Sequence, residues 1–266
     1  MSTAYFVLRF VAFYFLFAAW QASKHSYSLY RNRLNFSKLK ALIGVYRNHY
    51  SFGQVILDKV AILSGNGGQF TFNFDGEEHL LSIINGGKGG ILISAHVGNW
   101  EAASQLLGKL NSKVNVVMMQ AEYEQIKDYL SDVTGEKKYN IIAIKEDLSH
   151  IFEISNALIN KELICIHGDR FVEGSKVVAS PFLGEEALFP KGPFAIAQRM
   201  KVPATFVYAI KENATHYHFF ASEPFIVNQS VEELVNSYAE AVEEKLHQYP
   251  YQWFNYYDFW DKHHQN

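Results

Sequence analysis

The stretch "GILISAHVGNWEAASQLL", residues 90–107, decides how this chain is read. Its first six residues form a short apolar run, as in a strand buried on both faces. Gly98 and Asn99 then interrupt the pattern. From Asn99 onward the sequence favours a helix over 99–110, with Asn99 as its N-cap. A strand that feeds directly into a helix is the repeating unit of an α/β sheet. Side chains at the end of such a strand face the crevice where these folds bind ligands. His96 falls there, and Glu101 falls in the first helical turn, near the positive end of the helix.

The flanking sequence repeats the pattern. Residues 69–74, 113–120, 139–144, 162–168, 204–210 and 216–222 read as strands. Helices are predicted over 35–64, 77–85, 122–132, 146–160 and 193–200. A long last helix follows Ser230, which forms a capping box with Glu233. Strands alternating with helices imply an α/β fold with a mostly parallel sheet flanked by helices on both faces.

The net charge of −3 hides an asymmetry. The first fifty residues carry seven basic side chains and no acid, whereas the remaining 216 hold 17 basic and 27 acidic residues. Residues 5–20, "YFVLRFVAFYFLFAAW", are apolar except for Arg9. As a helix these sixteen residues would extend about 24 Å, short of a hydrocarbon core of about 30 Å. A tilted or interfacial anchor is expected, with a cleaved signal peptide as its rival. The basic residues follow the apolar run, as at a cytoplasmic surface of anionic lipid. The chain is therefore divided into a basic, aromatic, membrane-associating helical arm over 1–50 and a single domain over 51–266. A nucleic-acid partner is disfavoured, because the arm is rich in aromatics and the rest is acidic. The lone Cys165 excludes an intrachain disulfide and is expected in a buried strand.

His96 and Glu101 have the logic of a base and its orienting carboxylate. The alternative is a polar pair that closes a strand–helix turn. The backbone N–H groups near Gly98, Asn99 and Trp100 open the helix and are expected to bind an oxyanion or substrate. A second charged strand end follows at His167, Asp169 and Arg170. A metal held by His96, His167 and Asp169 is the minor alternative there, and no metal or other cofactor is expected. No G-x-S-x-G elbow, P-loop or H-E-x-x-H motif is present. Without a nucleophilic Ser or Cys beside His96, direct attack by a substrate hydroxyl is the expected scheme.

These residues resemble a known family. "GKGGILISAHVGNWEAA" (87–103) is similar to the H-x4-[DE] segment of the lipid A biosynthesis acyltransferases, the lauroyl and myristoyl transferases. The likeness extends from "NFDGEEHL" (73–80) through "GDRFVEGSKVVASPFLGEEALFPKGPFAIAQRMKVPATFVYA" (168–209) to "YPYQWFNYYDFW" (249–260). The resemblance implies a single glycerolipid-acyltransferase-like domain at the cytoplasmic face of the inner membrane. It implies a fatty acyl thioester donor, on acyl carrier protein or CoA, and a hydroxyl acceptor on a lipid A-like or other bacterial lipid. The family's His and acid carry over onto His96 and Glu101, and its Asp onto Asp169. Relatives usually follow that Asp with Gln, whereas Arg170 stands here, which leaves the acceptor open. Asp169 and Arg170 are expected to shape its headgroup site. The alternative is a catalytically silent lipid-binding or membrane-scaffold protein of the same fold.

Overall fold

A computed structural model describes residues 1–100, 102, 112–120, 139–145, 147, 149–171 and 174–261. The helix expected over 122–132 and most of that over 99–110 lie outside them. The strands are β1 (Thr71–Asp75), β2 (Gly90–Ser94), β3 (Val114–Met119), β4 (Asn140–Ile144), β5 (Leu163–His167), β6 (Val177–Phe182), β7 (Glu185–Pro190), β8 (Pro203–Lys211), β9 (His216–Ala221) and β10 (Phe225–Ile226). The helices are α1 (Ser2–Ala18), α2 (Trp20–Ser28), α3 (Lys38–Ala61), α4 (Glu77–Asn85), α5 (Ser149–Ile159), α6 (Lys191–Met200) and α7 (Val231–Gln248).

The main sheet runs β1-β9-β8-β2-β5-β3-β4, with β10 added beside β8. Every pair in it is parallel except β8 with β9 and with β10. The apolar runs of β2 and β5 are continuous because both faces are covered. Ile91, Ile93, Ile164 and Phe206 pack toward α5, α6 and α7, which contribute Ile154, Phe194 and Tyr238 among others. The alternate residues Leu92, Leu163 and Val114 meet Leu80 and Ile83 of α4 on the other face. The capping box of α7 forms as expected from Ser230 and Glu233. α6 begins two residues before Pro193, which sits in its first turn where its missing N–H costs nothing.

The β6–β7 hairpin was not expected. Its two-residue turn places Leu183 at φ 50° and Gly184 at φ 83°, a primed geometry that matches strand twist. Leucine is a poor residue for that conformation, and Pro181 further disguises β6.

At the N-terminus α1 lies against α3 and buries Tyr5, Leu8 and Ala12, with Leu8 seated over Gly53. Its other face exposes Phe6, Phe10, Phe13 and Phe17, each more than half accessible. Among the described residues no single helix is long and apolar enough to cross a membrane. Ser2–Ala18 and Trp20–Arg33 pass that test only as a pair, bent by 89°. α3 runs unbroken through residue 50.

Candidate active site

Register brings the two charged strand ends together. In the β2–β5 pair Ser94 lies opposite His167, and Gly168 N–H donates to Ser94 O at 2.9 Å. His96 and Asp169 each stand two residues past that shared end, and so they face one another. His96 N–H donates to Asp169 Oδ2 at 2.9 Å, and the ring donates from Nδ1 to Oδ1 at 2.7 Å. Trp253 Nε1–H adds a third bond to Oδ2 at 3.2 Å. The Asp169 side chain is 2% exposed, against 20% for His96.

Burial alone would raise the Asp169 carboxyl. The His96 ring, through its charge and hydrogen bond, and then Arg170, outweigh burial and hold Asp169 well below the usual carboxylate range. An ionised carboxylate can only accept, so Nδ1 carries the ring hydrogen and Nε2 is the nitrogen that takes up a further proton. His167 stacks on His96 with ring centroids 4.3 Å apart. Burial, reinforced by the neighbouring His96, pushes His167 down to about 3 and keeps it neutral.

The turn after His96 is tightly built. Gly98 adopts φ +76°, and a Cβ there would lie 2.0 Å from Ala209 O. Gly98 N–H donates to Gln252 O at 2.8 Å and Asn99 N–H to Ala209 O at 2.7 Å. These two amides, expected to bind an oxyanion or substrate, are instead consumed in holding the turn. Asn99 is fully buried and is the N-cap, accepting from Ala102 N–H at 3.2 Å. Its Nδ2 donates to Tyr217 Oη at 3.0 Å. Glu101 lies outside the described residues. Arg170 donates from Nη2 to Phe254 O at 2.7 Å, while its buried Nε has no hydrogen-bond partner among the described residues.

Beside the histidine stack lies an apolar cavity. Leu92, Val116, Cys165 and Val207 line it, and Trp100 and His167 form part of its wall. Burial pushes the Cys165 thiol up to about 12, so it is no nucleophile at neutral pH. His96, His167 and Asp169 offer ligand atoms within 4.8 Å of one another, a set that could also hold a cation. The Asp169–His96 hydrogen bond occupies Nδ1 without one.

Sequence reasoning placed His96 and Asp169 at strand ends but gave them separate tasks. It missed the bond between them and the part played by Trp253. The terminal aromatic segment carried a signal, but nothing in it singled out which ring meets Asp169.

Known proteins supply the family. Residues 45–260 match the family model described as bacterial lipid A biosynthesis acyltransferase. A phosphatidylinositol mannoside acyltransferase of Mycobacterium tuberculosis is 24% identical over 123 residues, 46% of this chain. That match spans only 39% of the relative's own length. The family model covers most of the chain and includes both strand ends, so the chain belongs to the bacterial lipid A biosynthesis acyltransferase family.

Proposed function

We propose that this protein transfers a fatty acyl group from a thioester to a hydroxyl of a lipid. The observation that carries this is the His96–Asp169 pair standing beside an apolar cavity. In the proposed reaction Nε2 of His96 takes the acceptor's hydroxyl proton as the oxygen attacks the thioester carbonyl. Asp169 fixes the ring's tautomer and stabilises the imidazolium that forms. The tetrahedral intermediate then expels the thiolate, which recovers the proton from His96. Glu101 is the second carboxylate proposed to support this ring, and the acyl chain lies in the cavity.

Acyl carrier protein or CoA carries the donor, and a lipid A-like molecule or another bacterial lipid accepts. The Nε of Arg170, unpartnered among the described residues, would give an anionic headgroup a charged donor at the site. The family model and the acyltransferase relative support acyl transfer. The assay is lauroyl-CoA or lauroyl carrier protein incubated with bacterial lipid extract and read by lipid mass spectrometry. Binding of the thioester with neither transfer nor hydrolysis would favour the silent lipid-binding scaffold.

The working location is the cytoplasmic face of the inner membrane. Phe6, Phe10, Phe13 and Phe17 share one exposed face of α1, and each basic residue near anionic lipid adds about 1 kcal/mol. Replacing the four phenylalanines with serine should release the protein from floated anionic vesicles. Undiminished flotation would move the contact elsewhere.

A further inference from the structure

A second buried polar cluster adjoins the active-site turn. Asp58 of α3 is fully buried and accepts hydrogen bonds from Tyr5 of α1, Lys211 of β8 and Tyr217 of β9. Paired with the Lys211 ammonium, this carboxylate only accepts. The single proton of the Tyr217 hydroxyl is therefore committed to Asp58, and its oxygen must accept from elsewhere. It accepts from Asn99 Nδ2 at 3.0 Å. That bond determines which end of the Asn99 amide points at Tyr217, and it leaves Oδ1 to accept from Ala102 N–H at 3.2 Å. A flipped amide would set its NH2 group against the Ala102 N–H, donor against donor. The direction of every bond from Asp58 to the helix cap is thus imposed by one charge.

We propose that Asp58, acting through Tyr217 and Asn99, is a positioning group for the active-site turn, holding the helix start that carries Trp100 in place after His96. Trp100 walls the cavity and packs edge-on against His167. Glu101 stands in sequence between Trp100 and Ala102. A second link runs in parallel, because the side chain of Gln252 bonds the Lys211 backbone at both ends while its carbonyl takes Gly98 N–H. The N-terminal helix shares in this cluster through Tyr5, so α1 and the catalytic turn rest on the same carboxylate.

The inference rests on the proposed acyl transfer, and a pair of matched substitutions tests it. Tyr5→Phe and Tyr217→Phe each remove one hydroxyl from Asp58, but only Tyr217 continues to Asn99. Both should lower Tm. Tyr217→Phe alone should lower kcat about tenfold, with KM for lauroyl-CoA within about twofold, as for a small misplacement of reacting groups. Tyr5→Phe should keep the wild-type kcat. Asn99→Ala, which removes the cap and leaves Asp58 untouched, should reproduce the kcat loss, and it supplies the test if Tyr217→Phe does not fold. Combining it with Tyr217→Phe should add nothing further. Equal kcat for Tyr5→Phe and Tyr217→Phe, wild-type kcat in Asn99→Ala, or losses that multiply would each overturn the positioning role while leaving acyl transfer standing. A wild type that turns over no thioester overturns the proposed function, and this inference with it.

Discussion

Asp58 and Asp169 each lie out of reach of solvent and each accept three hydrogen bonds, yet from different kinds of donor. Asp58 faces a lysine ammonium and two phenols. Asp169 faces a backbone amide, an indole and an imidazole. Burial and the neighbouring carboxylate hold both phenols of the first set protonated, so they fix geometry. The second contains an imidazole beside a cavity, and in the proposed reaction that ring is the partner that takes up and returns a proton. Burial of an acid does not by itself mark a reactive site. What marks it is whether the acid's partner can change state.

The sharpest way to break this contrast is to remove the changeable partner. His96→Ala should lower acyl transfer by about three orders of magnitude, the range for a general base together with its positioning. More than a tenth of wild-type turnover in a folded variant would end its assignment as base.

The fixed partner predicts a different failure. Asp58→Asn strips a buried ammonium of its counter-charge and should cost about 3 kcal/mol of stability, read from urea melts. Asp169→Asn should cost less stability, because His96 can remain neutral. A reversed order in the melts would dissolve the distinction between the two acids.

Asp169→Asn should instead lower kcat by about a hundredfold, because an amide can favour the wrong imidazole tautomer. Glu101→Gln is expected to cost less than that. Should Glu101→Gln prove the more damaging, Glu101 is the main orienting acid and Asp169 its auxiliary.

The smallest effect is a pH dependence. His167 is depressed to about 3 from an unfolded value of about 6.5, so the unfolded chain binds the extra proton in that window. Stability should fall as the pH drops through it, by about 1–2 kcal/mol between pH 7 and pH 5. Asp169 is also depressed, but its contribution is retained above the unfolded carboxylate value of about 3.9 and lost only below it. His167→Phe should therefore flatten the melting profile between pH 7 and 5 and leave the steeper acid limb. An unchanged slope between pH 7 and 5 would show that His167 is not the group responsible.

The parts of the fold governed by local rules were legible. The continuous apolar runs at 90–95 and 162–168 were readable as strands, and Ser230 with Glu233 gave the start of α7. Asn99 was readable as a cap because capping depends on a few neighbouring atoms. The β6–β7 hairpin was hidden because Leu183 occupies a backbone conformation that sequence rules assign to Gly or Asn. The pairing of His96 with Asp169 was hidden for a different reason. It depends on strand order and register, which put β5 beside β2 although β3 and β4 intervene in sequence. The amides of Gly98 and Asn99 looked available because their acceptors, Gln252 and Ala209, are remote in the chain.

The spacing of these partners along the chain bears on how the protein comes to be built. Asp169 bonds residues 73 and 84 positions away, and Asp58 bonds residues 53, 153 and 159 positions away. Such distant closures are slow compared with helix formation. A ribosome adding about 5–20 residues per second delivers Tyr217 roughly 8–32 s after Asp58. Until Lys211 is made, Asp58 has only Tyr5 among its three partners, and α1 and α3 can pair while the turn at Asn99 lacks its Tyr217 anchor. The α1–α3 pair can therefore form early in synthesis. Both carboxylate clusters close late, when β9 and the Trp253 segment arrive, and the molecule gains its apolar surface well before its chemistry.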